Sequence, residues 1–511
     1  MWTRRLAVFT LFAFLASAGA SKDAKSVVDD VARTIGTVNL KSIQYSGIGF
    51  AFNFGQNFRP LSPWPKFYAT YSYAVNYEED AAREEIVRTQ FENPPRGAGG
   101  QPLYRESRAI NFVSGDRAWT TGPSGNTTTS LDEAENRQLQ IAMTPHGWVK
   151  AAMTANPTMK ATTLNGRKVT EISFTVPGKH EVKEYKVNGY VNDQNLLEKV
   201  ETWIPDDLLG DTLLEATYSD YRDFGGMKFP MKIVQKQGGF PILDVTLAEV
   251  NPNAPVNIEV PQAVRTAAPR PMRVEAKKVT DGLWYLAGPG DNSVAVEFKD
   301  YVVVAESSAS EARAYANMEV VKKLVPNKPI RYVINSHHHI DHSSGNRAYV
   351  AEGVTIITQE LNKAFIEQTL RLPHTLVPDA LSKNPKPAKV VYVKDKYELT
   401  DGTRTLDIYL VRGNGHAVDL IMAYLPKEKF LIVADVFNQF GEPRPNDPPP
   451  GIVSPYTASL GENLKRLNLD VEQIAPIHGS EVVPVSVLRK QLEGTVQAPP
   501  PAPPKGMTAG R

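Results

Sequence analysis

Residues 336–342 read S-H-H-H-I-D-H and follow a short apolar run, I-R-Y-V-I-N at 330–335. The β-branched and aromatic residues of that run predict a buried strand, so the histidines lie on the loop that leaves it. Within the stretch His337, His339, Asp341 and His342 form the spacing H-x-H-x-D-H. On a chain leaving a strand, alternate residues such as His337 and His339 point to one side, and Asp341 and His342 turn toward a second point nearby. Three imidazoles this close repel one another once protonated, unless a cation holds them neutral and ordered. The chain has only 9 histidines in 511 residues, which makes a chance surface tract a poor explanation. A metal ion is the economical one.

Length and composition set the frame. A chain of 511 residues exceeds one hydrophobic core, which predicts two domains. Apolar content of 41% and charged content of 22% are ordinary for a globular protein. A net charge of +1 gives no reason to expect nucleic acid or an anionic membrane as partner. There is no cysteine, so disulfides are excluded and any metal must be held by nitrogen and oxygen alone. At the amino terminus M-W-T-R-R precedes an apolar run over residues 6–16 and an A-G-A site at 18–20, the pattern of a secretory signal peptide over residues 1–20. No later segment approaches the roughly 18 apolar residues of a membrane span. The expectation is an exported, periplasmic or secreted bacterial protein without a transmembrane anchor.

Residues 21–252 read as a domain of antiparallel strands with one leading helix. Val27, Val28, Val31, Ala32 and Ile35 recur at helical spacing. Period-two patterns then recur at 45–54, 67–77, 108–113, 170–176, 182–191, 212–218, 231–236 and 243–250. This pattern, and the stretch Y-S-D-Y-R-D-F-G-G-M-K-F-P at 218–230, resemble the curved half-barrels of lipoprotein-carrier proteins. His146 and His180 have no metal-type neighbours here and read as structural or surface residues. Residues 253–273, with four prolines and Pro252 just ahead of them, form a linker. Residues 491–511 end the chain as a disordered Pro-rich tail.

From residue 274 to 490 strands alternate with helices: strands at 283–286, 293–298 and 301–305 precede a first helix whose capping-box spacing is S-A-S-E at 308–311. The run S-H-H-H-I-D-H resembles the metal-binding signature of the metallo-β-lactamase superfamily, over about residues 274–487. That resemblance implies an αββα sandwich and further ligands in a fixed order. A histidine is expected after a glycine-rich strand end, and G-N-G-H places His416 there. An acidic residue is expected at the end of a buried strand, and F-L-I-V-A-D supplies Asp435. A last histidine near the carboxyl end is matched by His478 in I-A-P-I-H-G. By this resemblance His337, His339 and His416 hold one metal; Asp341, His342 and His478 hold a second, with Asp435 between them or beside the second.

The ligand types suit two zinc ions per chain, with manganese or iron as alternatives. The resemblance implies a hydrolase of a small ester, lactone or amide in which a metal-bound hydroxide attacks and Asp341 orients it. A β-lactamase of the all-histidine subclass is an alternative, since the absence of cysteine excludes thiolate-using subclasses. A second alternative is an apolar-ligand carrier with a non-catalytic second domain. Glu306 stands where the family often has aspartate and is expected to be structural. His338 and His374 are unassigned, His374 lying in a loop that could border the pocket. The Pro-rich loop 441–451 is expected to border the substrate.

Overall fold

The computed structural model describes residues 23–122, 125–268 and 271–507. The expected signal peptide lies outside the described residues.

Period-two sequence in the amino-terminal half becomes a 13-stranded antiparallel sheet. In the strand Lys66–Asn76, Phe67, Ala69, Tyr71, Tyr73 and Val75 are buried on one face. Six strands from Ser42–Phe52 to Gly125–Thr128 run as one meander, and seven from Thr158–Leu164 to Phe240–Pro252 as another. The first strand joins the two by pairing with the last, Ile48 opposite Thr246.

The leading helix is Ala24–Ile35, capped by Asp23, whose Oδ1 accepts from the Ser26 amide at 2.8 Å. Its five predicted apolar positions are all buried. Two further helices, Leu131–Met143 and Pro145–Thr154, link the far ends of the sheet and were not legible as helices. The first is fixed partly by polar contacts, Arg137 donating to the carbonyls of Phe112 at 3.0 Å and Trp119 at 2.8 Å, so its apolar periodicity is weak. The helices share one core with the inner face of the sheet, and Trp148 is fully buried within it. His146 bonds the Ile35 carbonyl through Nε2 at 3.0 Å, and burial pulls it down to about 4. His180 is half-exposed, 3.6 Å from Asp132. Both have the structural or surface roles their surroundings suggested.

Within residues 253–273, Ile258 and Val264 pack beside Ala81 and Trp119. The Pro-rich end departs from its expected disorder. Thr495–Val496 pairs with Ile452–Val453, Tyr104 donates to the Gln497 carbonyl at 2.7 Å, and the Ala502 amide donates to Gln90 at 2.9 Å. Proline lacks an amide donor but keeps its carbonyl. An extended Pro-rich strip can therefore still be held at the few positions that carry donors.

The carboxyl-terminal half is a sandwich. One sheet has seven strands, from Glu275–Thr280 to Val390–Val393, and the other six, from Lys396–Thr400 to Val483–Pro484. Their facing sides share one core, while the helices Glu311–Leu324 and Asn346–Ala351 cover the outer face of the first sheet. The first of these helices is capped by Ser310, whose Oγ accepts from the Arg313 amide at 3.1 Å. Ser308, the residue the capping-box spacing picks out, is buried instead and accepts from Asn317 Nδ2 at 2.8 Å.

The amino-terminal core depends on helix-to-sheet packing, and Trp148→Ala is expected to remove about 3–5 kcal/mol from it. Urea unfolding followed by far-UV circular dichroism should show a lower midpoint for that half; an unchanged midpoint would contradict this packing.

Candidate metal centre

The strand Ile330–Ile334 ends at the first cluster of histidines, as its sequence suggested. Asn335, fully buried, donates from Nδ2 to the carbonyls of His337 at 2.8 Å and His342 at 2.9 Å, which folds the loop back on itself. The short helix Ile340–Ser343 then carries Asp341 and His342. His416 is set by its neighbour Asn414, whose Oδ1 accepts from the His416 amide at 3.0 Å and the Ala417 amide at 2.9 Å. Gly415 lies so close to Tyr456 that a Cβ would meet the ring at 2.5 Å. Asp435 follows the buried strand Phe430–Val433 with φ of 58°, a left-handed conformation that aspartate tolerates better than most residues. His478 follows Gln473–Pro476 and is braced on both sides by Asn292, which donates from Nδ2 to the Ile477 and Gly479 carbonyls at 2.8 Å each.

These segments bring together all seven residues singled out from the sequence, in two groups each able to hold an ion: His337, His339 and His416, and Asp341, His342, Asp435 and His478. His337 Nε2 is 2.9 Å from His339 Nδ1 and 3.1 Å from His416 Nε2. In the second group His342 Nε2 is 3.1 Å from His478 Nε2 and 2.9 Å from Asp435 Oδ2. Asp435 Oδ1 reaches back to within 3.5 Å of His416 Nε2, which places this carboxylate between the groups. Ligand atoms around one tetrahedral zinc at ~2.0–2.1 Å stand ~3.3 Å apart, so these spacings fit a shared ion.

The opposite nitrogens support the same reading. His339 Nε2 is 2.8 Å from the Asn57 carbonyl, so it carries the proton and leaves Nδ1 as a lone pair. His342 Nδ1 faces Glu306 Oε2 at 3.0 Å, which leaves Nε2 for the centre, and His337 Nδ1 faces Ser336 Oγ at 2.9 Å. Asp435 Oδ2 is buried against the ring nitrogens of His342 at 2.9 Å and His337 at 3.7 Å. A cation would satisfy these converging ring nitrogens and carboxylate oxygens together.

Electrostatics divide the groups. Burial and the surrounding imidazoles hold His337 and His339 well below the ordinary histidine range, and burial brings His416 down to about 4. Burial also opposes charge on His342 and His478, but nearby carboxylates outweigh it and raise both. Asp341 and Asp435 are lowered, because those histidines outweigh the burial that would raise them.

Glu306 proves to do more than fill a structural position. Besides holding His342 it accepts the backbone amides of Ser307 at 3.0 Å and Ser336 at 3.2 Å. His338 turns both ring nitrogens to acceptors, Asp419 Oδ1 at 2.6 Å and the Asn57 carbonyl at 2.8 Å, so neither faces the centre. His374 does not border the cleft; it packs beside Gly210 and lies 3.8 Å from Asp379. A cleft of about 1650 Å³ opens over the centre, lined by Asp341, His416, Asp435 and His478 and by the whole of the loop 441–451. Residues 98–108 of the amino-terminal half form its other wall.

Residues 292–478 match the family model described as the metallo-beta-lactamase superfamily. Residues 292–478 form a metallo-β-lactamase superfamily domain. Its fold and metal-type residues are those of a metal-dependent hydrolase of the superfamily. The 2,4-dinitroanisole O-demethylase subunit alpha of Nocardioides sp. (strain JS1661) is 23% identical over 209 residues, 41% of this chain. The match spans only 56% of that relative's length. Among solved structures, a metallo-β-lactamase from Hirschia baltica is 20% identical with a TM-score of 0.33, over 44% of this chain and 99% of its own. A metallo-β-lactamase from Pontibacter korlensis is 17% identical with a TM-score of 0.32, over 43% and 97%. No helix among the described residues is long and apolar enough to cross a membrane.

The titration pattern predicts how the protein stripped with a chelator responds to pH. Below about 6.5 the unfolded chain takes up protons that His337, His339 and His416 refuse when folded, so stability falls as pH drops toward 4. Above about 6.5 the folded chain still holds protons on His342 and His478 that the unfolded chain has released, so stability falls as pH rises. Melting temperature against pH should therefore peak near the ordinary histidine value. A monotonic curve across this range would contradict the assignment.

Proposed function

We propose that this chain is a dinuclear metal-dependent hydrolase of a small ester, lactone or amide. His337, His339 and His416 hold one ion, Asp341, His342 and His478 the other, and Asp435 lies between them. The observation that carries this reading is the convergence of seven ligand-type side chains in two groups, with the far ring nitrogens of His339, His342 and His337 facing Asn57, Glu306 and Ser336. An all-nitrogen-and-oxygen set suits zinc, with manganese and iron also compatible. Ions bound there polarise a scissile carbonyl and acidify water toward neutral pH.

The chain's own groups divide the remaining work. Asp341, with 30% of its side chain exposed, is the most accessible of the seven. It can orient an attacking water through a hydrogen bond and pass a proton to the departing group. Its lowered affinity for protons keeps it an acceptor at neutral pH. The cleft walls bind and orient the rest of the substrate. We also propose that residues 21–252 and 274–490 are two domains joined by 253–273. The basic and apolar pattern of the first 20 residues supports action outside the cytoplasm.

A β-lactam is a second candidate substrate, with the cysteine-free ligand set compatible only with the all-histidine lactamase subclass. The carrier reading has less support, because the helices of the amino-terminal half fill its core and leave a cavity of about 50 Å³ beside Tyr45, Tyr71 and Tyr73. That space suits a water or two rather than an apolar ligand.

Purified protein loaded with zinc should bind two ions and turn over at least one member of a panel of aryl esters, lactones, a chromogenic cephalosporin and 2,4-dinitroanisole. His337→Ala should lose an ion and lower turnover by roughly 1000-fold, equivalent to about 4 kcal/mol. Unchanged metal content and activity in that variant would refute the enzyme reading. Shortening the loop 441–451 should reorder KM across the panel at constant metal content; the same order of KM values would show that the loop does not touch substrate.

A further inference from the structure

All seven proposed ligands lie beyond residue 336, yet the amino-terminal half reaches the same centre. Between the strands Ser42–Phe52 and Lys66–Asn76 the chain passes under the histidine loop. Gln56, only 9% exposed, directs Nε2 at Asp341 Oδ1 at 2.8 Å. An ionised carboxylate can only accept, so it is the amide nitrogen that faces it. The other oxygen, Asp341 Oδ2, is 3.2 Å from His478 Nε2 and 3.5 Å from His342 Nε2. The two oxygens of Asp341 thus have separate partners, one in each half of the chain.

The next residue acts on the first group. The Asn57 carbonyl accepts from His339 Nε2 and from His338 Nε2, both at 2.8 Å. Backbone bonds fasten the loop at both ends: the Gly55 carbonyl accepts from the Ile340 amide at 3.1 Å, and the Phe58 carbonyl from the Val418 amide at 3.0 Å. Gly55 has φ of 72°, and a Cβ there would stand 2.7 Å from Ile340 Cβ. Only glycine lets the loop come this near.

We propose that the loop at residues 53–58 completes the catalytic centre, with Gln56 the positioning residue for Asp341 and the Asn57 carbonyl fixing the His339 tautomer. This rests on the dinuclear reading above. Partners that orient a metal ligand typically contribute 10–100-fold to metal affinity or activity. Gln56 therefore governs the second ion, whose ligands include Asp341, and leaves the three-histidine group intact.

The test is a zinc competition titration against a chromophoric chelator, using full-length wild type, Gln56→Ala and Gln56→Glu, with circular dichroism to confirm folding. Wild type should bind two ions. Gln56→Ala should bind the tighter-held ion of the three-histidine group as wild type does and the second about 10–100-fold more weakly. Gln56→Glu keeps the length but sets a carboxylate against Asp341, and should weaken the second ion at least as much. With any substrate that is turned over, kcat should fall in both variants while KM changes little. Two folded variants that bind both ions as wild type does would overturn the role of Gln56. A wild type that binds fewer than two ions would instead overturn the dinuclear reading, and it would do so before any variant is measured.

Discussion

Each buried imidazole at this centre has to present a lone pair inward, which requires that its proton be held on the other side. A neutral imidazole has one donor and one acceptor nitrogen, so the outward partner decides which atom faces the ion. Asn57, Glu306 and Ser336 supply those partners for His339, His342 and His337. Each partner must be rigid to be useful. Glu306 is fixed by two backbone amides, Asn57 belongs to a loop fastened at both ends, and Ser336 is buried just past the end of the strand Ile330–Ile334. The sandwich supplies strand ends close enough together for this to happen around one point.

The ligands were legible because their signals are local. H-x-H-x-D-H is a single run, and His416, Asp435 and His478 each follow a short apolar strand in the expected order. The residues that orient them were not. Gln56, Asn57 and Asn292 are ordinary polar residues in Gly- and Asn-containing loops, and only the fold brings them to a ligand far along the chain. Glu306 was noticed by position but not by role, since nothing in its neighbourhood names His342 as a partner.

The fold shows the same division. Alternation gave away strands such as Lys66–Asn76, where one face meets a continuous core. The helix Leu131–Met143 escaped because Glu135 and Arg137 work on its packed side, Glu135 accepting from the Lys179 amide and Arg137 donating to strand carbonyls. A binary apolar pattern cannot register a helix anchored in this way. The Pro-rich end misled for a related reason: composition reports that a segment cannot build a core, while existing backbone donors and acceptors can still hold it extended.

The strand that leads into the Gln56 loop has a history of its own. Ser42–Phe52 lies in the middle of the 13-stranded sheet and pairs on one side with Lys66–Asn76, near in sequence, and on the other with Phe240–Pro252. The second pairing has to wait until the chain beyond residue 240 has been made, and closing so long a loop is slow. Residues 53–58 therefore have their full base only when both pairings of Ser42–Phe52 are made. The base of the loop that reaches Asp341 is thus long-range in sequence, set by the pairing of the first and last strands of the sheet.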